Sequence, residues 1–295
     1  MIIRGFVQSG GTPNPDLNLK TIFPLSGVKV TLHAATQSGP QFLGDATTDL
    51  DGAFAIDSPL TMVYSLFYLT ADIRPGLTLG AIAGGTLPEA ITINELTTIA
   101  AMYAGAQFFF NGAIGGQNAP LQVVSGMNAN LVSVGRGTAS PVLTSPPNAY
   151  QTNALQTLYS LANLLTASVR GSAAQLDALF SLTTPPGRPA PTDTLTAINN
   201  IARDPANNAA ALFDQSRLSA VYQPALDQAP DAWTLAVKVN ATGNSSQMFG
   251  GPANVAFDPS GRAWIPNNVV QGEPYSASWS IVLEPDGSPA PFSPI

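Results

Sequence analysis

Few side chains in this chain are equipped for catalysis, and their types and spacing narrow the possible chemistry. His33 is the single histidine, and there is no cysteine. That excludes thiol nucleophiles, thiolate zinc sites and disulfide frameworks, and leaves a Ser-His-Asp triad with one position from which to draw its base. His33 lies in Val28-Lys-Val-Thr-Leu-His-Ala34, whose period-two alternation places it opposite a face of Val28, Val30, Leu32 and Ala34. The expectation is a solvated strand histidine. Carboxylates are the other route to acid–base or metal chemistry. Asp45, Asp49 and Asp51 lie close together, but Asp49-Leu-Asp-Gly52 lacks the downstream bidentate Glu of an EF-hand loop and reads as a tight hairpin turn. The glutamates, Glu89, Glu95, Glu273 and Glu284, suggest no catalytic pair. No nucleophile elbow, dinucleotide fingerprint or Walker sequence occurs. The expectation is a chain with no catalytic residue, no metal ligand and no cofactor, hence not an enzyme.

Composition points the same way. Charged residues make up 10% of the chain, against about 25% in an average soluble domain. The surface must therefore be built largely from small neutral polar groups, as in bacterial secreted and cell-surface proteins, and the expected location is extracellular or cell-surface. A net charge of −7, with Lys20, Lys29 and Lys238 the only lysines, argues against nucleic acid as a partner. No run of 18 apolar residues exists, so no membrane span is expected. Met1-Ile-Ile-Arg-Gly-Phe-Val7 is already strand-like, so any secretory signal is expected to have been removed.

The elements divide the chain in three, at 1–73, 74–232 and 233–295. In the first region Ile2–Val7, Val28–Ala34, Phe42–Thr48, Ala53–Ile56 and Leu66–Thr70 read as strands, with a Gly-, Pro- and Asn-rich loop after the first. Together they imply a β-sandwich. In the second, Thr92-Ile-Asn-Glu95 reads as a capping box opening a helix that runs to about Phe109. Leu121–Val134 is a weaker helix interrupted by Gly126. Leu155, Leu158, Ala162, Leu165 and Val169 keep helical spacing up to Gly171. Ser172-Ala-Ala-Gln175 is another capping box, Thr192 or Asp193 caps a helix through Ile201, and Asp204-Pro205 opens a last one. These helices imply a central bundle. In the third region Trp233–Val239 alternates as a strand, and Pro252–Asn267 with Ser280–Gly287 reads as three strands and two turns.

Two stretches carry family resemblances. Gly5-Phe-Val7, Leu25-Ser-Gly-Val-Lys-Val-Thr31 and Thr48-Asp-Leu-Asp-Gly-Ala-Phe54 resemble the carboxypeptidase regulatory-like (prealbumin-like) domain. The resemblance implies a spacer or contact module; related modules sometimes carry a Lys–Asn isopeptide, for which Lys29 is the candidate. Gly251–Asn267 and Leu283-Glu-Pro-Asp-Gly-Ser288 resemble one blade of an NHL-repeat or streptogramin-lyase-like propeller. One copy stands where a closed propeller needs several.

The expected fold class is α+β multidomain: an N-terminal β-sandwich, a central helical bundle and a C-terminal antiparallel sheet resembling one blade. The expected role is a non-catalytic structural or interaction protein that self-associates through exposed strand edges into an oligomer or filament, with a surface glycan or protein as another partner. The residues expected to carry contacts are Ile2, Ile3 and Phe6 on the first strand, and Trp264, Tyr275 and Trp279 as an aromatic platform on the blade. The alternatives are a secreted lyase or carbohydrate-active enzyme lacking its propeller, or a carbohydrate-binding module.

Overall fold

A computed structural model describes residues 2–10, 22–58 and 64–295. Most of the Gly-, Pro- and Asn-rich loop, with Lys20, lies outside the described residues, as does Met1. The chain begins with strands β1 (Ile2–Ser9), β2 (Phe23–Pro24), β3 (Lys29–Thr36), β4 (Gly39–Thr47), β5 (Ala53–Asp57), β6 (Phe67–Arg74), β7 (Leu77–Gly84) and β8 (Ile91–Ile93). Helix α1 (Glu95–Ala104), the hairpin β9 (Phe109–Phe110) and β10 (Ala113–Ile114), helix α2 (Asn118–Leu131), and the pair β11 (Val132–Ser133) and β12 (Thr138–Ala139) follow. Next come α3 (Pro141–Thr144), α4 (Asn148–Gln151), α5 (Ala154–Arg170), α6 (Ala173–Leu182), α7 (Thr194–Arg203) and α8 (Ala209–Ser216). The last strands are β13 (Ala256–Phe257), β14 (Ala263–Pro266) and β15 (Ser280–Leu283). The class is α+β, and none of its sheets closes.

The N-terminal strands form two sheets. One has the order β4-β3-β6-β7; the other has the order β2-β1-β5, with β8 parallel to β1. Alternation puts Ile3 and Val7 of β1 and Val30, Leu32 and Ala34 of β3 into one core. The turn Asp49–Gly52 does not close a hairpin: β4 pairs with β3 and β5 pairs with β1, so the turn carries the chain from one sheet to the other. Its chemistry is still that of a tight turn. Asp49 Oδ1 accepts from the amides of Asp51 and Ala53, each at 2.9 Å. Gly52 adopts φ +74°, and a Cβ there would stand 2.5 Å from the Val7 carbonyl oxygen.

The expected open edge at Ile2–Val7 is corrected by the pairing. β1 lies inside its sheet, with β5 opposite Ile2–Phe6 on one side and β8 opposite Gly5–Val7 on the other. The actual sheet edge at β7 is covered by helices, whose side chains take the place of a neighbouring strand. Thr194 accepts from the Thr78 amide at 3.0 Å and donates to its carbonyl oxygen. Thr98 accepts from the Gly80 amide at 2.9 Å, and Thr97 donates to the Gly80 carbonyl oxygen at 3.0 Å. Asn128 Nδ2 donates to the Ile82 carbonyl oxygen at 3.2 Å. Each alternate position of the edge is satisfied by α7, α1 or α2.

Helix α1 packs against α2, α5, α7 and β7, and all its residues except Tyr103 are buried. A helix of Leu, Ile, Ala and Thr with no polar stripe belongs in such a place. Its cap differs from expectation: Thr92 lies in β8, and the capping box is Asn94 with Thr97. The helix stops at Gly105, so Phe108-Phe-Phe110 does not end it. Phe109 enters the core from β9, and Phe110 faces outward. Gly126 does not interrupt α2. Asp204 is the C-cap of α7, and α8 begins only at Ala209. The Ser172–Gln175 box and the Asp193 cap form as expected.

Candidate functional site: an apolar groove beneath the C-terminal sheet

The Trp233–Val239 stretch is extended but has no ladder partner. Side chains hold it instead. Trp233 is fully buried, donating through its amide to the Pro205 carbonyl at 2.8 Å and through Nε1 to the Ala209 carbonyl at 3.2 Å. Tyr103 Oη donates to the Trp233 carbonyl at 2.8 Å. Asn148 imitates a strand, accepting from the Lys238 amide at 2.7 Å and donating to its carbonyl at 3.0 Å. The stretch is thereby laid along the helices, with Leu235 and Val237 facing the core.

Beyond it, β13, β14 and β15 form a meander. Its β15 edge is not open either. The Ser280 and Ile295 amides each donate to the other's carbonyl, at 2.8 and 2.9 Å, and the Ala290 amide donates to the Val282 carbonyl at 2.9 Å. Ser293 Oγ accepts from the Val282 amide at 3.0 Å. The meander also meets α2: a Cβ at Gly126 would stand 2.5 Å from the Pro285 carbonyl carbon and oxygen. Glycine is what allows that approach.

Where α2 and the meander diverge, a groove opens. One section has a volume of about 570 Å³ and a neighbouring section about 340 Å³. Tyr103, Val123, Met127, Leu235, Phe257 and Gly261 border both. Polar groups are few: Gln107, Thr234 and Asp258 in the first section, Asn130 and Glu284 in the second. No lysine or arginine lines either section. Asp258 is tied into the sheet, Oδ1 accepting from the amides of Ser260 at 2.9 Å and Arg262 at 3.0 Å, and Oδ2 from Trp264 Nε1 at 3.1 Å. Desolvation pulls its pKa upward, but these donors and the Arg262 charge outweigh that and hold it below the ordinary value. Arg262 Nε lies 2.9 Å from Glu284 Oε1, and this partner raises its pKa. Burial raises the Tyr103 phenol, which stays neutral.

The residues singled out in the sequence do not gather here. Ile3 is only 2% exposed and belongs to the core, whereas Ile2 and Phe6 are 50% and 46% exposed on the outer face of β1. Trp264 is half-buried with its ring against Phe292 at 6.1 Å. Tyr275 is 65% exposed, and Trp279 is half-buried with Nε1 lacking a partner. Among the described residues no ring contact joins these three aromatics. Lys29 forms a surface ion pair with Asp45 at 3.2 Å. No local pattern marks the groove, because its walls come from α1 and the turn after it, α2, α7, the Trp233–Val239 stretch and the meander.

No family model and no curated protein matches the chain. Among solved structures, an (S)-allantoin synthase is similar over 31% of this chain and 41% of its own, at 13% identity and a TM-score of 0.18. A 9R-lipoxygenase from Cyanothece PCC8801 is similar over 62% of this chain and 25% of its own, at 11% identity and a TM-score of 0.19. The chain thus spans less than half of either protein, and likenesses at these scores carry no argument about fold or activity.

Proposed function

We propose that the protein is a non-catalytic binding and interaction protein whose groove holds a neutral, largely apolar small molecule. The observation that carries this reading is the groove itself. Its volume falls in the range of roughly 300–1,000 Å³ typical of small-molecule sites, and its lining is mainly apolar with a few polar groups. The lack of Lys or Arg in the lining, with Asp258 and Glu284 present, disfavours an anionic ligand such as a fatty acid. An extracellular or cell-surface setting belongs to the same proposal and rests on the low charge. So do the likenesses of the N-terminal sheets to a prealbumin-like module and of the meander to one propeller blade.

N-phenyl-1-naphthylamine, a neutral apolar fluorophore, tests the reading. Its emission should rise on addition of the protein and be displaced by a fatty alcohol more effectively than by the fatty acid of equal length. Met127→Glu, at an exposed groove residue, should abolish the rise, whereas Met248→Glu, outside the groove, should not. Equal fluorescence from both variants removes the proposal.

Self-association keeps one support. β13 is an outer strand of the meander; Phe257 on it is 67% exposed, and Val255 just before it is 50% exposed. A mass by light scattering that grows with concentration, and is restored to the monomer by Val255→Lys, is the expected result for that reading.

A further inference from the structure

A second cleft, with a different chemistry, lies on the face of the β4-β3-β6-β7 sheet near the start of α7. It has a volume of about 300 Å³ and is lined by His33, Tyr68, Thr70, Asp72, Thr78 and Asp193, with the rest of its wall from β4, the β9–β10 hairpin and α7. Tertiary structure assembles it. His33 lies opposite Tyr68 in the β3–β6 register, while Tyr68, Thr70 and Asp72 share one face of β6 by alternation. Asp193 arrives from the N-cap of α7, more than a hundred residues later.

The solvated strand histidine of the sequence reading is not what forms. The His33 ring stacks on Tyr68, with centroids 4.9 Å apart and planes at 19°. Its Nδ1 is buried and has no hydrogen-bond partner, an arrangement that costs stability unless something supplies the bond. Asp72 Oδ1 accepts from Thr78 Oγ1 at 2.9 Å. Asp193 accepts from the Thr196 amide and hydroxyl, both at 2.8 Å. Each carboxylate oxygen has more than one lone pair, so the cleft can accept further hydrogen bonds. No Lys or Arg lines it. Lys29, opposite Asp72 in register, is instead placed against Asp45.

We infer that this cleft binds a small organic cation carrying several N–H donors, of the size and shape of a guanidinium group. Two carboxylates, one from β6 and one from the start of α7, favour positive charge, and a guanidinium, with five N–H donors in a fixed plane, is the cation best suited to serve more than one acceptor. His33, Asp72 and Asp193 do not gather about one point as ligands of a metal ion would. The small volume limits the occupant to a side-chain-sized group, either a free molecule or an arginine side chain presented by a partner. Both share the same headgroup chemistry. The inference does not depend on the apolar groove.

Because His33 is the only histidine, its ring proton resonances in an NMR spectrum report on this cleft alone. Titration with methylguanidinium chloride at low salt should shift those resonances saturably. Urea, the neutral counterpart, should not shift them, and Asp72→Asn should weaken binding about tenfold or more, the loss expected for a charge-assisted contact. Asp72 is exposed, so this variant should fold; Asp193→Asn, which preserves a capping side chain, provides a second reading. If urea or glucose saturates the same resonances as readily, the site takes neutral donors and the inference fails. It fails equally if methylguanidinium leaves His33 unmoved, or binds Asp72→Asn and Asp193→Asn as it binds the unaltered protein.

Discussion

Tyr222 Oη donates to Glu95 Oε2 at 2.7 Å, joining two fully buried residues 127 positions apart. Glu95 opens α1, and its other oxygen accepts from Ser9 Oγ at 2.5 Å, while Oε2 also takes the Gly10 amide at 2.8 Å. Arg170, at the end of α5, donates to Ser9 through Nε and Nη2, both at 2.7 Å, and lies over the Phe23 ring at 4.2 Å. One polar knot thus ties β1, β2, α1, α5 and the Tyr222 segment together.

Removing the phenol should loosen that knot. Tyr222→Phe keeps the ring and its packing but takes one donor from a buried carboxyl group, which should cost about 1.5–3 kcal/mol. Urea denaturation measures it. A change below about 0.5 kcal/mol would mean that the network contributes little.

The same residue sets an alkaline limit. Burial, followed by the charge and hydrogen bond of Glu95, raises the Tyr222 pKa well above 10.0, and burial pushes Tyr68 up to about 12. The folded state therefore retains protons that the unfolded state releases above pH 10, so stability falls as pH rises beyond that point. Urea midpoints from pH 8 to 11 should decline, and Tyr222→Phe should flatten the decline. An unchanged slope contradicts the assignment.

On the acid side, His33 has the opposite sign. Desolvation lowers its pKa below 6.5, with the Asp72 charge working against it; the Tyr68 ring stacks on it, and Asp193 lines the same cleft. The unfolded chain takes up the proton first, so stability is retained above pH 6.5 and lost as pH falls through the lowered folded value. His33→Gln should make the stability profile shallower in that window.

The threonine-covered edge of β7 is open to an isosteric test. Thr98→Val preserves volume but strands the buried Gly80 amide, an expected cost of about 1–3 kcal/mol. Thr98→Ser should recover most of it. Faster amide exchange at Gly80 in the valine variant alone would locate the effect.

Gly126→Ala sets helix propensity against packing. Alanine favours the helix by about 0.8–1 kcal/mol, yet its Cβ would stand 2.5 Å from Pro285 backbone atoms, which cannot yield as a side-chain tip can. Packing should win: Tm should fall, and the 284–288 turn should exchange faster. A rise in Tm would show that α2 and the meander are not tightly joined.

The period-two pattern of Val28–Ala34 and the spacing of Leu155 to Val169 identified β3 and α5 well, because local alternation and helical repeat report directly on burial. Turn chemistry was legible at Asp49–Gly52, but not the destination of the strand that follows, since a turn does not reveal which sheet receives it. β7, β8 and the Asn94 cap were missed. Leu77–Gly84 is apolar on both faces, because helices cover what a two-sided alternation would have exposed. The apolar groove left no local signal, as its walls come from parts of the chain far apart in sequence.

The residue order alone settled the supply of chemistry: one imidazole, no thiol, few charges, and a mixture of alternating and helical segments. Which of those groups meet was decided by the tertiary structure. Whether His33 is solvated or stacked, whether β1 is an edge or an inner strand, and whether Glu95 lies alone or among donors all depend on partners far away in sequence. Burial and hydrogen-bond satisfaction are properties of the assembled neighbours, and local pattern carries no record of them.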